Sequence, residues 1–195
     1  MARSQDAMSA ARRGAQAAVV AAFLAWTANA TANESGSSVV DAPSLMAPDA
    51  RVRGVSARVV AVINEASAQS KTFRGMVDWI GTTDGVVYVQ EGRCGHGVRA
   101  CLQLTMTLMG PNRVLWILID PRKADRDLMG SIGHELQHAV EVLSHRTIRS
   151  SSAMTLLYNK EGDKYGGRFE TNAAIQAGTA VRAELRESAA AERRK

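Results

Sequence analysis

The stretch from Lys123 to His145 repeats apolar residues at the 3.6-residue period of a helix, and it carries three of the chain's four histidines. The apolar stripe consists of Leu128, Ile132, Leu136, Val140 and Leu143. A stripe of this length predicts an amphipathic helix that turns one face to a hydrophobic core. The other constraint inside this helix is the sequence HELQH, residues 134–138.

The HELQH sequence predicts a metal site. His134 and His138 are four residues apart, so on a helix both imidazoles lie on one face and can reach the same ion. Zinc binds neutral imidazole nitrogens and lowers the pKa of a bound water to about 7. Glu135 lies ~100° round the helix axis from His134, so it can stand beside the ion without being a ligand. There it can take a proton from the bound water and then protonate a leaving amine. The alternative is an ordinary helix with two histidines at its edge.

A catalytic zinc site needs a third protein ligand, and Glu170 is the candidate. It is predicted to lie in the first turn of the last helix, where the small residues Ala173 and Ala174 would allow close packing on the motif helix. A first-turn acid is also favoured by the helix dipole alone. Glu161 and Asp163, in a glycine-bearing stretch, are the alternative ligands.

Two further residues lie on the histidine stripe. His145 would be ~10 Å along the axis from His138, too far for a shared ion in a straight helix. Glu141 would be ~4.5 Å beyond His138, which favours a supporting or surface role over ligation.

Residues 1–32 are predicted to be a secretory signal peptide. Arg3, Arg12 and Arg13 precede the apolar run Ala17–Trp26, and small residues follow it. The run is well short of the ~20 residues that span a bilayer, so no stable membrane insertion is expected after cleavage. A disordered alanine-rich tail is the alternative; the signal peptide implies a secreted or periplasmic protein.

Cys94 and Cys101 frame the sequence CGHGVRAC. In an oxidising compartment two cysteines this close in sequence most simply form a disulfide. The alternatives are a second metal site with His96 and a pair of reduced thiols.

The composition of the chain gives one indication about its partners, which concerns nucleic acids. The chain is 46% hydrophobic and 22% charged, which is typical of a globular protein, and its net charge is +5. No basic block is interleaved with aromatic residues, so nucleic-acid binding is not predicted. The sequence assigns no oligomeric state.

The pattern along the chain predicts an α+β fold. A flexible linker is expected over residues 33–50, one domain over 51–187 and a charged tail over 188–195. The expected elements in order are N-terminal helices from Val52 and over 73–80, a strand Val86–Gln90, a hairpin Cys101–Ile119, the motif helix, a polar stretch Arg146–Arg168 and a last helix from Phe169.

The residues His134, Glu135, His138 and Glu170, with the order sheet, motif helix, second helix, resemble the zincin metallopeptidases in their gluzincin arrangement. The resemblance covers residues 52–187. It implies that His134, His138 and Glu170 bind Zn²⁺ and that Glu135 is the general base and acid.

The resemblance has departures. The metzincin branch is not favoured, because Glu141 and Ser144 stand where its pattern requires glycine and a third histidine. Ala174 stands where many gluzincins have an acid that supports a ligand histidine. Tyr165 is the preferred oxyanion stabiliser, with Tyr158 and His145 as alternatives.

The sequence therefore predicts an exported, single-domain zinc metallopeptidase that hydrolyses peptide bonds in peptides or proteins. A non-catalytic, zinc-stabilised module that binds a cell-envelope partner is the alternative from another class. A third hypothesis, an amidase acting on cell-wall peptides, would use the same site on a different substrate.

Overall fold

A computed structural model of the chain describes residues 49–95, 97–122, 124–161, 163–165 and 168–195, without the side chains of 161, 163–165, 168 and 169. The predicted signal peptide and all but the last two residues of the predicted linker lie outside the described residues, as does His96. Within them, no helix combines the length and the apolar character that crossing a membrane requires.

The described residues form helices and strands in a mixed order, which confirms the predicted α+β fold. The elements are β1 Val52–Gly54, α1 Ala57–Gln69, α2 Lys71–Gly81, β2 Gly85–Glu91, β3 Ala100–Leu102, β4 Thr107–Met109, β5 Asn112–Ile119, α3 Arg126–Ser144, α4 Ser151–Glu161, β6 Asp163–Tyr165, β7 Arg168–Glu170 and α5 Asn172–Glu192. The last helix thus continues through most of the expected tail.

The main sheet has the strand order β1-β2-β5-β3, with β4 also paired to β5. The strands β1, β2 and β5 are parallel, while β3 and β4 run antiparallel to β5. The apolar strand β5 is therefore central, and β3 forms one edge.

The predicted hairpin is present in part. Its first strand is interrupted between β3 and β4, where Met106 donates its backbone N–H to Ser151 Oγ at 3.0 Å. Gly110 closes the tight turn before β5 with a φ of 59°, a left-handed conformation that glycine adopts without strain. The chain thus leaves the sheet for the four residues 103–106, and one of them contacts the first residue of α4.

The predicted disulfide is also present. Cys94 and Cys101 are bonded, with their Cα atoms 5.7 Å apart. Since Cys101 belongs to β3, the bond ties the loop after β2 to this edge strand.

The core lies between the sheet and the helices. The most extensive helix pair is α3 with α5, which pack closely because glycines face the partner helix. A Cβ atom on Gly133 would be 2.8 Å from Val181 Cγ2, and one on Gly178 would be 3.1 Å from the backbone oxygen of Gly130. Ala174 is buried in this packing, but Ala173 is exposed, so its predicted contribution is wrong.

Two stretches differ from the prediction. The segment from Val52 begins as strand β1, and the helix starts only after Ser56, whose Oγ accepts the Val59 N–H. The stretch 146–168, expected to be irregular, contains α4 and the hairpin β6–β7. Helix α4 buries Met154, Leu157 and Tyr158, a short apolar set that polar neighbours obscure in the sequence.

Candidate metal centre

Helix α3 holds the HELQH sequence in its interior. The helix begins after Asp125, whose Oδ1 accepts the Leu128 N–H at 3.0 Å, and it ends at Ser144. Asp127 in the first turn further favours this start by interacting with the helix dipole. Both histidines therefore lie in the interior of the helix, more than one full turn from either end.

Three side chains converge into one cluster. His134 and His138 from α3 and Glu170 from the end of β7 each offer one ligand atom, and these atoms lie within 4.8 Å of one another. His134 Nε2 is 3.0 Å from Glu170 Oε2, and the two imidazole centroids are 4.8 Å apart. These three residues can hold a metal ion.

Glu170 reaches the cluster from a different element than expected. It is the last residue of β7, and helix α5 begins only at Asn172, with Thr171 as its N-cap. The prediction that Glu170 lies in the first helical turn is wrong, since the short β6–β7 hairpin delivers it. The helix-dipole explanation for an acid at this position is weakened accordingly.

Glu141 supports His138 from one helical turn away. His138 Nδ1 and Glu141 Oε2 are 2.9 Å apart, and Glu141 Oε1 accepts a hydrogen bond from Thr171 Oγ1 at 2.6 Å. This contact engages Nδ1 of His138 and leaves its Nε2 for an ion. Glu141 itself is outside the three-residue cluster, and it links α3 to the N-cap of α5 beside Glu170.

The surroundings shift the two histidine pKa values in opposite directions. Burial, together with the neighbouring His138, lowers the pKa of His134. Burial also lowers the pKa of His138, but the hydrogen bond with Glu141 and the charge of Glu135 outweigh it, so the net shift is upward. Metal binding requires the neutral imidazoles, so an ion at this cluster competes with a proton chiefly at His138.

The carboxylate of Glu135 reaches the edge strand β3 of the sheet. Its Oε2 accepts the Leu102 backbone N–H of β3 at 2.7 Å. The next residue, Gln103, donates its N–H to Trp116 in β5, so the Leu102 amide points outward from the sheet. Burial raises the pKa of Glu135, while a bound cation would act in the opposite direction.

Of the three residues predicted as possible oxyanion stabilisers, the structure describes the side chains of two, Tyr158 and His145. Tyr158 is buried in α4, and its hydroxyl donates to the His138 carbonyl at 2.9 Å while its ring packs edge-on against the His138 ring. The hydroxyl proton of Tyr158 is therefore used in a hydrogen bond to the backbone of helix α3. His145 caps the end of α3 and is exposed. The side chain of Tyr165 lies outside the described residues, as do those of Glu161 and Asp163.

Two contributors to the site were not recognised in the sequence. Thr171 could have been found as a threonine three residues before Ala174, the usual N-cap spacing, although its bond to Glu141 is a tertiary contact. The Leu102 amide leaves no side-chain signal at all, because any residue except proline carries the same donor.

Comparisons with protein families, curated proteins and solved structures find no match for this chain. The chemistry of the site is therefore inferred from its own residues.

Proposed function

We propose that the protein is a zinc-dependent metallopeptidase of the zincin type. The observation that carries this proposal is the cluster of His134, His138 and Glu170 with the carboxylate of Glu135 on the same helix. Two imidazole nitrogens and one carboxylate oxygen are a ligand set found in catalytic zinc sites, which keep the fourth position for water or substrate. A structural zinc site has four protein ligands and no use for an adjacent carboxylate.

In this proposal each residue has one role. His134, His138 and Glu170 would hold the ion, and Glu141 would keep His138 in the tautomer that presents Nε2. A bound zinc ion would supply a Lewis acid and lower the pKa of water. Glu135 would accept a proton from the attacking water and deliver it to the leaving nitrogen. The Leu102 amide would hold the carboxylate in position for both transfers.

We also propose that the protein is exported and acts on peptides outside the cytoplasm. The Cys94–Cys101 bond supports export, because disulfides persist mainly in oxidising compartments. Comparing hydrolysis of casein-derived peptides with hydrolysis of cell-wall peptide fragments distinguishes a peptidase from the amidase that would share this site.

The ligand set is tested by metal content. We expect one zinc per chain in the purified protein, and loss or severe weakening of zinc binding in His138→Ala and in Glu170→Ala, because two ligands rarely retain zinc against a chelator. Glu187→Ala, which removes an exposed acid from α5, is the control and should bind like the wild type. Zinc retained in Glu170→Ala would assign the third ligand elsewhere, and no zinc in folded wild-type protein would overturn the proposal.

The supporting role of Glu141 has its own test. We expect Glu141→Gln to weaken zinc binding by about 10- to 100-fold, since outer partners of ligand histidines contribute that much. The amide keeps the shape but removes the charge that orients His138. Competition with a chromophoric chelator measures the affinity, with the α5 variant Glu192→Gln as a control. Unchanged affinity in Glu141→Gln would show that the contact with His138 is incidental.

A further inference from the structure

Helix α5 places an arginine, Arg182, next to the cluster formed by His134, His138 and Glu170. Arg182 is half-buried, and its aliphatic stem crosses Gly130 so closely that a Cβ atom there would be 2.3 Å from Arg182 Cγ. Its Nη2 donates to Ser131 Oγ at 3.2 Å. Its Nη1 lies by Gly178, where a Cβ atom would be 3.3 Å from Nη1 and 3.1 Å from His134 Cβ. The guanidinium thus flanks His134.

The guanidinium of Arg182 lacks the partner that a half-buried arginine usually has. Within the part of the chain that the structure describes, no carboxylate forms an ion pair with it, whereas buried Arg113 pairs with Asp84 at 2.6 Å. Ser131 takes only one of its five N–H donors. The Ser131 proton is already donated to the backbone oxygen of Asp127. The remaining donors of Arg182 are available to water or to a ligand.

The distance between Arg182 and the cluster can be estimated from Ser131, its hydrogen-bond partner on α3. Ser131 lies on the face of α3 that also carries His134, Glu135 and His138, because these residues are spaced three, four and seven apart. Along the helix axis Ser131 is roughly 7–8 Å from the midpoint of the two histidines. An extended peptide covers that distance in about two residues.

The charges around the site indicate which class of ligand Arg182 would bind. The carboxylates of Glu135 and Glu170 would repel an anionic group that approaches the site, whereas Arg182 brings a positive charge next to His134. A guanidinium binds a carboxylate through two parallel hydrogen bonds, which gives both direction and affinity.

We propose that Arg182 binds a carboxylate of the substrate, located one or two residues from the bond that is cleaved. This inference rests on the proposed peptidase function and narrows its substrates to peptides with a carboxylate at that distance. The carboxylate is either the free C-terminus or an aspartate or glutamate side chain, and both present the same chemistry to Arg182.

The test uses the zinc-loaded full chain and three versions of one short peptide. The first has a free C-terminal carboxylate, the second a C-terminal amide, and the third a C-terminal amide with an internal glutamate near the cleaved bond. We expect kcat/KM to favour a carboxylate-bearing peptide by about 10- to 100-fold, and Arg182→Gln to abolish that preference. Whether the first or the third peptide is preferred identifies the source of the carboxylate.

A matched control and a conservative variant accompany this test. Arg186→Gln changes an exposed arginine one turn further along α5 and should keep the full preference. Arg182→Lys keeps the charge and should restore part of it, which a merely structural role would not predict. Thermal denaturation checks that each variant is folded. A wild-type protein that does not distinguish acid from amide, or a preference unchanged in Arg182→Gln, would overturn the inference.

Binding separates this inference from the peptidase proposal. Affinities of the three peptides are measured by calorimetry for the Glu135→Gln protein with and without Arg182→Gln. A carboxylate preference in binding that depends on Arg182, with no hydrolysis by the wild type, would support the arginine site and refute the peptidase. Hydrolysis without any carboxylate preference would refute the arginine site and support the peptidase.

Discussion

Glu135→Gln is expected to lower peptide hydrolysis by roughly 10²–10⁴-fold, the range typical of general acid–base catalysis, while the zinc content stays at the wild-type level. The amide oxygen of glutamine can still accept the Leu102 N–H that now binds Glu135 Oε2 at 2.7 Å. The side chain therefore keeps its place but can no longer take a proton. Steady-state kinetics and zinc analysis of the same preparation measure the two quantities.

A matched control isolates the role of this one carboxylate. Asp127→Asn removes an exposed acid from the first turn of the same helix and should leave kcat/KM close to the wild-type value. Undiminished hydrolysis by Glu135→Gln would exclude Glu135 as the base. Loss of zinc from Glu135→Gln would instead make Glu135 a ligand and leave the general base unassigned.

The part of the site that local spacing determines could be predicted from the sequence. Two histidines four apart lie on one helical face whatever the tertiary structure is, and the apolar stripe from Leu128 to Leu143 requires that helix to be long. The structure accordingly places His134, Glu135 and His138 in the interior of α3. The structure also places Glu141 outside the cluster of His134, His138 and Glu170, and its distance along the axis follows from helix geometry.

The part that depends on packing could not be predicted. Glu170 was identified as an acid on a later element, but its delivery by the β6–β7 hairpin depends on pairings with no periodic signal over three-residue strands. The bonds from Leu102 to Glu135 and from Thr171 to Glu141 join residues about 30 positions apart. Strand β1 was missed for the same reason, since a three-residue strand exists only through its pairing with β2.

Arg113→Met is expected to destabilise the protein by roughly 3–5 kcal/mol, because it leaves several buried carbonyl groups without a donor, at a cost of about 1–3 kcal/mol each. Arg113 is fully buried at the start of β5. Its guanidinium binds Asp84 at 2.6 Å and holds the pKa of that carboxyl below its ordinary value. It also donates to the carbonyls at the end of α3, including Leu143 and His145 at 2.9 Å each.

Methionine preserves much of the volume of Arg113 but donates no hydrogen bond, so the last carbonyls of α3 would lose their partner in a site shielded from water. The expected loss corresponds to a decrease of about 10 °C in Tm for a chain of this size. Arg149→Met is the matched control, because Arg149 also contacts Asp84, at 3.3 Å, but is 44% exposed. An exposed pair contributes less than ~1 kcal/mol. Equal losses of Tm in the two variants would show that the end of helix α3 does not depend on the buried guanidinium of Arg113.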